Sequence, residues 1–296
     1  MIRLPAVPPR LAALAAVAFW GLSFVATKAT VASISPVALI FARSGLGSAL
    51  LLAILAARRE PLLPPRETWP TLAAMAFVGI AFHQTLQAFA LTMTTAVNTG
   101  WLVSLSPLWT ALLAAWRLKE RFPGAKLAGL AIGFLGALIV VSKGRLSLEV
   151  LSLPTTGGDL LILAGTLNWA FYTTLGLDVM RRLGPTRATA GVMLLGWLML
   201  LPLFLARSGF REYGRLGASG VAAVAFLGLC CSGLAYLFWY SALERLEASR
   251  VAAFLYLEPL ITLGAAMAVL GETASLTTVV GGALLIGGVV LVQRAR

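Results

Sequence analysis

Few side chains in this chain could do chemistry, because most of its polar groups are scattered through long apolar runs. His83 is the only histidine, and Glu258 is the one carboxylate near the centre of an apolar run. Neither lies in a nucleophile–base pattern or at the spacing of metal ligands, and no His-Glu-x-x-His sequence occurs. We therefore predict no catalytic residue, no metal and no cofactor, and a protein that is not an enzyme.

Polar and aromatic side chains inside the apolar runs instead favour a binding cavity. Polar groups deep in a membrane span are costly and usually face the interior of the helix bundle. His83 and Gln87 are four residues apart and so share a helical face. An apolar pocket with a few polar groups suits an amphiphilic small molecule, and aromatic faces attract ammonium groups. The predicted substrate-binding residues are Trp20, His83, Gln87, Asn98, Trp101, Trp169, Tyr172, Tyr236 and Trp239. The alternative for the aromatic residues is packing or an interfacial belt.

Two prolines and one acidic residue form the second group of candidates. Pro107 and Pro259 each remove a backbone hydrogen bond, which predicts either a static kink or a hinge beside the cavity. Glu258 has three possible roles: a structural ion pair with Lys28 or Arg43, a proton-coupling group, or a contact for a substrate amine. The sequence leaves these alternatives open.

Composition excludes a soluble domain. Hydrophobic residues make up 59% of the chain and charged residues 11%, whereas soluble domains carry about 25% charged residues. The net charge of +12 does not indicate nucleic-acid binding, because most basic residues lie in short gaps between apolar runs. The adjacent Cys230 and Cys231 lie inside an apolar run and are expected to pack there. The expected partners are the lipid bilayer and a small-molecule substrate, and the chain is expected to be monomeric.

Ten apolar runs have the length of about 20 residues that a membrane helix needs. We predict spans at about 11–31, 36–57, 70–91, 95–117, 124–142, 157–179, 186–206, 217–241, 247–270 and 275–293. The first run follows Arg3 and Arg10, as in a signal peptide, but it is too long for one and is interpreted as a retained span. The predicted fold class is an all-α integral membrane protein.

The ten spans divide into two related halves. Ser106-Pro107-Leu108 and Glu258-Pro259-Leu260 are separated by 259 − 107 = 152 positions, and Glu120 and Glu272 keep the same offset. The offset also pairs glycines, Gly129 with Gly281 and Gly136 with Gly288. The predicted repeats are residues 1–148 and 149–296, with five spans each. Because five is odd, the second repeat enters the membrane from the opposite side, as in many secondary transporters.

Basic residues in the gaps predict the orientation. With the N-terminus inside, sixteen Lys and Arg lie on the inner side and five on the outer side, while Lys28 and Arg43 lie within spans. Both termini are therefore predicted to be cytoplasmic, in a bacterial-type inner membrane. Glu120 and Glu272, at the ends of the fourth and ninth spans, are predicted to cap the helices that follow them.

The paired proline-to-glutamate segments, the Phe19-Trp20-Gly21 sequence and the ten spans resemble the drug/metabolite transporter superfamily, EamA branch. Within that branch the chain is most similar to bacterial aromatic amino-acid exporters. This resemblance implies an inner-membrane exporter of amino acids, aromatic and other apolar ones, that works without ATP through a midplane cavity by alternating access. The alternative is export of another small metabolite or drug of the same superfamily. Ser106 departs from the acidic residue found at Glu258, so this position differs between the two halves.

Overall fold

A computed structural model describes residues 7–109, 112–113, 124–144, 153–243, 245–246, 251 and 253–294, and these residues form helices joined by short turns. The α-helices are α1 (Pro9–Val31), α2 (Pro36–Ala57), α3 (Trp69–Met75), α4 (His83–Met93), α5 (Ala96–Val103), α6 (Gly124–Ser142), α7 (Thr156–Leu183), α8 (Pro185–Ala206), α9 (Ala218–Ala225), α10 (Ala235–Leu243), α11 (Glu258–Leu270) and α12 (Leu276–Arg294). Two π-helical segments, Ala76–Phe82 and Phe226–Leu234, join α3 to α4 and α9 to α10. Short 3-10 helices cover Arg66–Thr68, Gly209–Arg215 and Ala253–Leu257.

Six helices in the described part of the chain are long and apolar enough to cross a membrane. They match the first, second, third, fifth, seventh and eighth predicted spans. Helices α7 and α12 cover the sixth and tenth predicted spans, although neither meets the same criteria of length and composition. The fourth and ninth predicted spans lie only partly within the described residues, and Glu120 lies outside them. The chain is thus an all-helical membrane protein.

Glycines bring α6 and α12 into close contact. A Cβ atom at Gly288 would lie 2.5 Å from the carbonyl oxygen of Gly129, and a Cβ at Gly136 would lie 2.5 Å from that of Gly281. Both distances are below any real Cβ contact, so each position requires glycine. Small residues allow this close backbone approach between membrane helices. The two contacts are equivalent under the offset of 152. Gly288 corresponds to Gly136, and Gly129 corresponds to Gly281.

The same offset of 152 recurs in two further features. The amide nitrogen Nε2 of Gln84 donates to the hydroxyl of Tyr236 at 3.4 Å, and these residues are 152 positions apart. The π-helical segment Ala76–Phe82, shifted by 152, falls on residues 228–234 of the second π-helical segment. Contacts between equivalent residues are characteristic of elements that meet at a two-fold axis.

The turn between α4 and α5 is held by charged side chains from distant elements. The Nζ of Lys28 donates to the carbonyl oxygens of Leu91 at 2.7 Å and Thr94 at 2.6 Å. The carboxylate of Asp159, in the first turn of α7, accepts from the Thr94 hydroxyl and, at 3.0 Å, from the Asn98 side chain. A cation at the C-terminus of α4 is favourable because it faces free carbonyl groups.

Glu272 completes this arrangement at the N-terminus of α5. Its two carboxylate oxygens accept from the backbone N–H groups of Ala96 and Val97, each at 3.0 Å. The expectation that Glu272 caps the following helix, α12, is therefore wrong. Gly271, with φ of 64°, ends α11 and turns the chain so that Glu272 reaches α5 instead.

Candidate functional site

A cavity within the helix bundle encloses about 860 Å³ of atom-free space, including its opening. Residues from several helices line it: Trp20, Ser23, Phe24, Arg43, His83, Gln84, Gln87, Val103, Ser104, Ser106, Pro107, Leu161, Ile162, Gly165, Thr166, Trp169, Tyr236, Trp239, Leu255 and Glu258. The lining combines large aromatic surfaces with one arginine, Arg43, and one glutamate, Glu258.

Aromatic rings from four elements form one wall of the cavity around Trp20 of α1. The ring centroid of Trp20 lies 5.5 Å from that of Tyr236, 5.3 Å from that of Trp239 and 6.0 Å from that of Trp169. The ring of His83 lies 5.4 Å from that of Trp169. Edge-to-face and tilted contacts at these distances are favourable and hold the rings in fixed orientations. The wall therefore presents a preformed aromatic surface.

The backbone is broken where Pro107 reaches the cavity. Helix α5 ends at Val103, two residues form a turn, and a helix resumes at Ser106. The hydroxyl of Ser106 donates at 2.8 Å to the carbonyl oxygen of Val103, four residues before the proline. Since Pro107 has no N–H for that carbonyl, the Ser106 hydroxyl supplies the missing donor. Val103, Ser104, Ser106 and Pro107 all line the cavity.

A second break precedes Glu258. The 3-10 helix Ala253–Leu257 ends there, and α11 begins at Glu258 with Pro259 in its first turn. Pro259 therefore starts a helix and does not kink the middle of one. Glu258 is 5% exposed and lines the cavity at the positive end of α11, which favours a negative charge. Broken helices whose ends face a midplane cavity are typical of secondary transporters.

Lys28 and Arg43 do not pair with Glu258 among the residues that the structure describes. Lys28 is bonded to the α4–α5 turn, and the Nε of Arg43 donates to the Ser232 hydroxyl at 3.0 Å. The described residues also provide no hydrogen bond to the Glu258 carboxylate. Of the three roles that the sequence leaves open for Glu258, the ion pair thus has no support in this structure.

Eight of the predicted residues come together at the cavity: Trp20, His83, Gln87, Pro107, Trp169, Tyr236, Trp239 and Glu258. Arg43 and Gln84 join them, although the sequence suggested no binding role for either. The available signal for Arg43 was its position inside an apolar run, where a charge usually serves a function.

Asn98, Trp101, Tyr172 and Pro259 lie outside the lining. The Asn98 side chain is hydrogen-bonded to Asp159, and Trp101 is buried with its indole against α12 at Gly282. Tyr172 is fully buried behind Trp169, with 5.2 Å between their ring centroids. The cavity's geometry therefore gives no support for a binding role of these residues.

His83 lines the cavity, but one of its ring nitrogens is enclosed by protein. Its Nδ1 is buried and has no hydrogen-bond partner in the described part of the chain. The described residues contain no group of three or more His, Cys, Asp or Glu side chains that could hold a metal ion. The chemistry available in the cavity is binding through polar groups and aromatic faces.

Known proteins resemble this chain over nearly its whole length. It is 35% identical over 273 residues to an uncharacterized transporter of Archaeoglobus fulgidus, covering 92% of both chains. It is 30% identical to an uncharacterized transporter of Bacillus subtilis, covering 92% of this chain and 88% of the other. A third relative, 28% identical over 78% of this chain and 75% of its own, is a "probable terminal-alkyne amino-acid exporter" of Streptantibioticus cattleyicolor.

A solved crystal structure shares the fold. It has a TM-score of 0.67 and 21% sequence identity, and the match covers 96% of this chain and 94% of the other. The sequence model of the EamA-like transporter family matches twice, at residues 9–142 and 156–294. These matches span both groups of helices and all the cavity residues. The chain belongs to the EamA-like transporter family.

Proposed function

We propose that this membrane transporter exports amino acids, aromatic and other apolar ones, through the cavity without using ATP. The observation that carries this proposal is the composition of the lining: Trp20, Trp169 and Tyr236 offer faces for an apolar side chain, and Arg43 and Glu258 offer one basic and one acidic group. An amino acid with an apolar side chain has this combination of groups. One relative is named an amino-acid exporter. The sequence has no Gly-x-x-x-x-Gly-Lys motif for nucleotide phosphates.

The proposed mechanism is alternating access by two inverted five-span repeats, residues 1–148 and 149–296. The two family matches, one in each half, support this division. The reciprocal glycine contacts between α6 and α12 and the Gln84–Tyr236 hydrogen bond between equivalent positions support a two-fold relation. With such a relation each half can adopt the conformation of the other, so the cavity can open to either side.

The proposed location is a bacterial-type inner membrane, with both termini in the cytoplasm. The bias of basic residues supports this orientation. It places the α4–α5 turn, with Lys28, Asp159 and Glu272, on the outer side of the membrane. Transport outward would then require these contacts to rearrange.

Counterflow in proteoliposomes tests the proposal. Vesicles loaded with an unlabelled amino acid should accumulate the same labelled amino acid, and they should do so for tryptophan, phenylalanine and leucine but not for lysine or aspartate. A pH gradient applied to the same vesicles shows whether protons are coupled. Export of another small metabolite or drug is the alternative, and it predicts no counterflow with any amino acid of the panel.

A further inference from the structure

Arg43 is a buried cation whose hydrogen-bonding capacity is mostly unused. It lies in α2, is 5% exposed, and lines the cavity. Its Nε–H donates to Ser232, and its two terminal nitrogens have no hydrogen-bond partner among the residues that the structure describes. A guanidinium inside an apolar bundle is costly unless acceptors replace its water. The cavity therefore presents a donor pair that suits an anion.

The bond to Ser232 fixes where this donor pair points. The guanidinium is a rigid, planar fork, so holding Nε in place also orients the two terminal nitrogens. Two parallel N–H groups of this kind match the two oxygens of a carboxylate. Lysine at this position would supply the charge but not the paired geometry.

Helix α1 connects the surroundings of Arg43 to those of Glu258. The indole nitrogen of Trp20 donates at 3.3 Å to the carbonyl oxygen of Cys231, next to Ser232. The following residue, Gly21, packs against the backbone of Glu258: a Cβ there would lie 3.0 Å from the Glu258 carbonyl oxygen. Trp20 thus contacts the backbone beside Ser232, while its neighbour Gly21 contacts the backbone of Glu258, and Arg43, Trp20 and Glu258 all line the same cavity.

We propose that Arg43, positioned by Ser232, binds the carboxylate of the transported molecule and makes the transporter selective for carboxylates. This inference rests on the proposed function and adds the residue that recognises the acid group. The carboxylate binds to the paired N–H groups of Arg43, and the aromatic faces of the cavity attract the ammonium.

A set of three related compounds tests this recognition. Counterflow of labelled tryptophan is measured against unlabelled tryptophan, tryptophanamide and tryptamine, which share the indole and the amine but differ in the acid group. In the unaltered protein, the amide and the amine should inhibit at least tenfold more weakly than the acid. Equal inhibition by acid and amide would overturn the proposal without any variant being made.

Variants then test which residue causes the preference for the acid over the amide. In Arg43→Gln the preference for acid over amide should fall below threefold, Arg43→Lys should give an intermediate value, and Ser232→Ala should weaken the preference in the same direction. The matched control is Arg66→Gln, which removes the charge of an exposed arginine. This variant should keep the full preference for the acid over the amide. An Arg43→Gln protein that still transports and keeps that preference would refute the role of Arg43. If the unaltered protein shows no amino-acid counterflow at all, the proposed function itself fails.

Discussion

Two neighbouring glycines of α12 provide a sharp test of the helix packing. Gly288 faces α6, where a Cβ would lie 2.5 Å from the Gly129 carbonyl oxygen, while a Cβ at Gly287 would have no atom within 4 Å. Relieving the contact at Gly288 to an ordinary 3.4 Å requires the two backbones to separate by about 3.4 − 2.5 ≈ 1 Å. Overpacking of this kind costs about 1–3 kcal/mol.

The two Gly→Ala substitutions should therefore differ in sign. Gly288→Ala should lower the free energy of unfolding by about 2 kcal/mol, which corresponds to a melting temperature roughly 4–8 °C lower. Gly287→Ala adds a methyl group in open space and should be neutral or stabilise by about 0.5–1 kcal/mol, because alanine favours the helix.

Thermal unfolding of both purified variants in one detergent provides the measurement, and the unaltered protein provides the reference. Since both changes lie on one helix and add one methyl group, differences in expression or detergent binding affect them alike. Equal melting temperatures for the two variants would show that α6 and α12 do not approach as closely as described.

The remaining predictions concern the tryptophans, the α5 cap and the topology. Trp169→Ala should abolish most amino-acid counterflow with little loss of stability. Trp101→Ala should cost about 3–5 kcal/mol of stability, because it empties a packed site. Reversed effects of the two variants in transport and melting assays would contradict the assignment of Trp169 to the cavity and of Trp101 to packing. Glu272→Gln should lower the free energy of unfolding by about 1 kcal/mol, because its hydrogen bonds to the α5 N–H groups become weaker. The control is Glu67→Gln at an exposed position, which should leave the melting temperature unchanged. Reporter fusions at the C-terminus and near Lys143 should report cytoplasm and periplasm, respectively, and a periplasmic C-terminus would remove the argument for inverted repeats.

The helical class and the irregular backbone at the prolines could be predicted from the sequence, because both depend on local properties. Apolar runs of sufficient length predict helices wherever a bilayer must be crossed. A proline cannot donate to the carbonyl four residues earlier, so Pro107 and Pro259 indicated a kink or a hinge within their spans. Glycines at matching positions in the two halves indicated the repeat, but the close contact that they make between α6 and α12 was not predicted.

Side-chain directions were harder to predict. Helices α2, α5 and α12 are apolar over most of their surface and carry only a few polar residues, so no clear polar face distinguishes the cavity side from the packed side. For this reason Trp101 was predicted to line the cavity but packs against α12, and Arg43 was not recognised as a binding residue. Glu272 was predicted to cap the nearest helix in sequence, yet its partner lies 175–176 residues away, a choice that only the tertiary structure makes.

Alternating access requires one cavity that opens to both sides of the membrane and holds the amino acid. Ser104 lines that cavity and is buried within the bundle. The variant Ser104→Cys therefore places a thiol in the cavity, and it is the single thiol of the protein when Cys230 and Cys231 are both replaced by serine. The measurement is the rate at which a membrane-impermeant maleimide labels this thiol in intact cells and in inverted vesicles, with and without tryptophan. We expect the thiol to be labelled from both sides of the membrane, and we expect tryptophan to lower the labelling rate on either side. Labelling from one side only, at a rate that tryptophan does not change, would contradict this expectation.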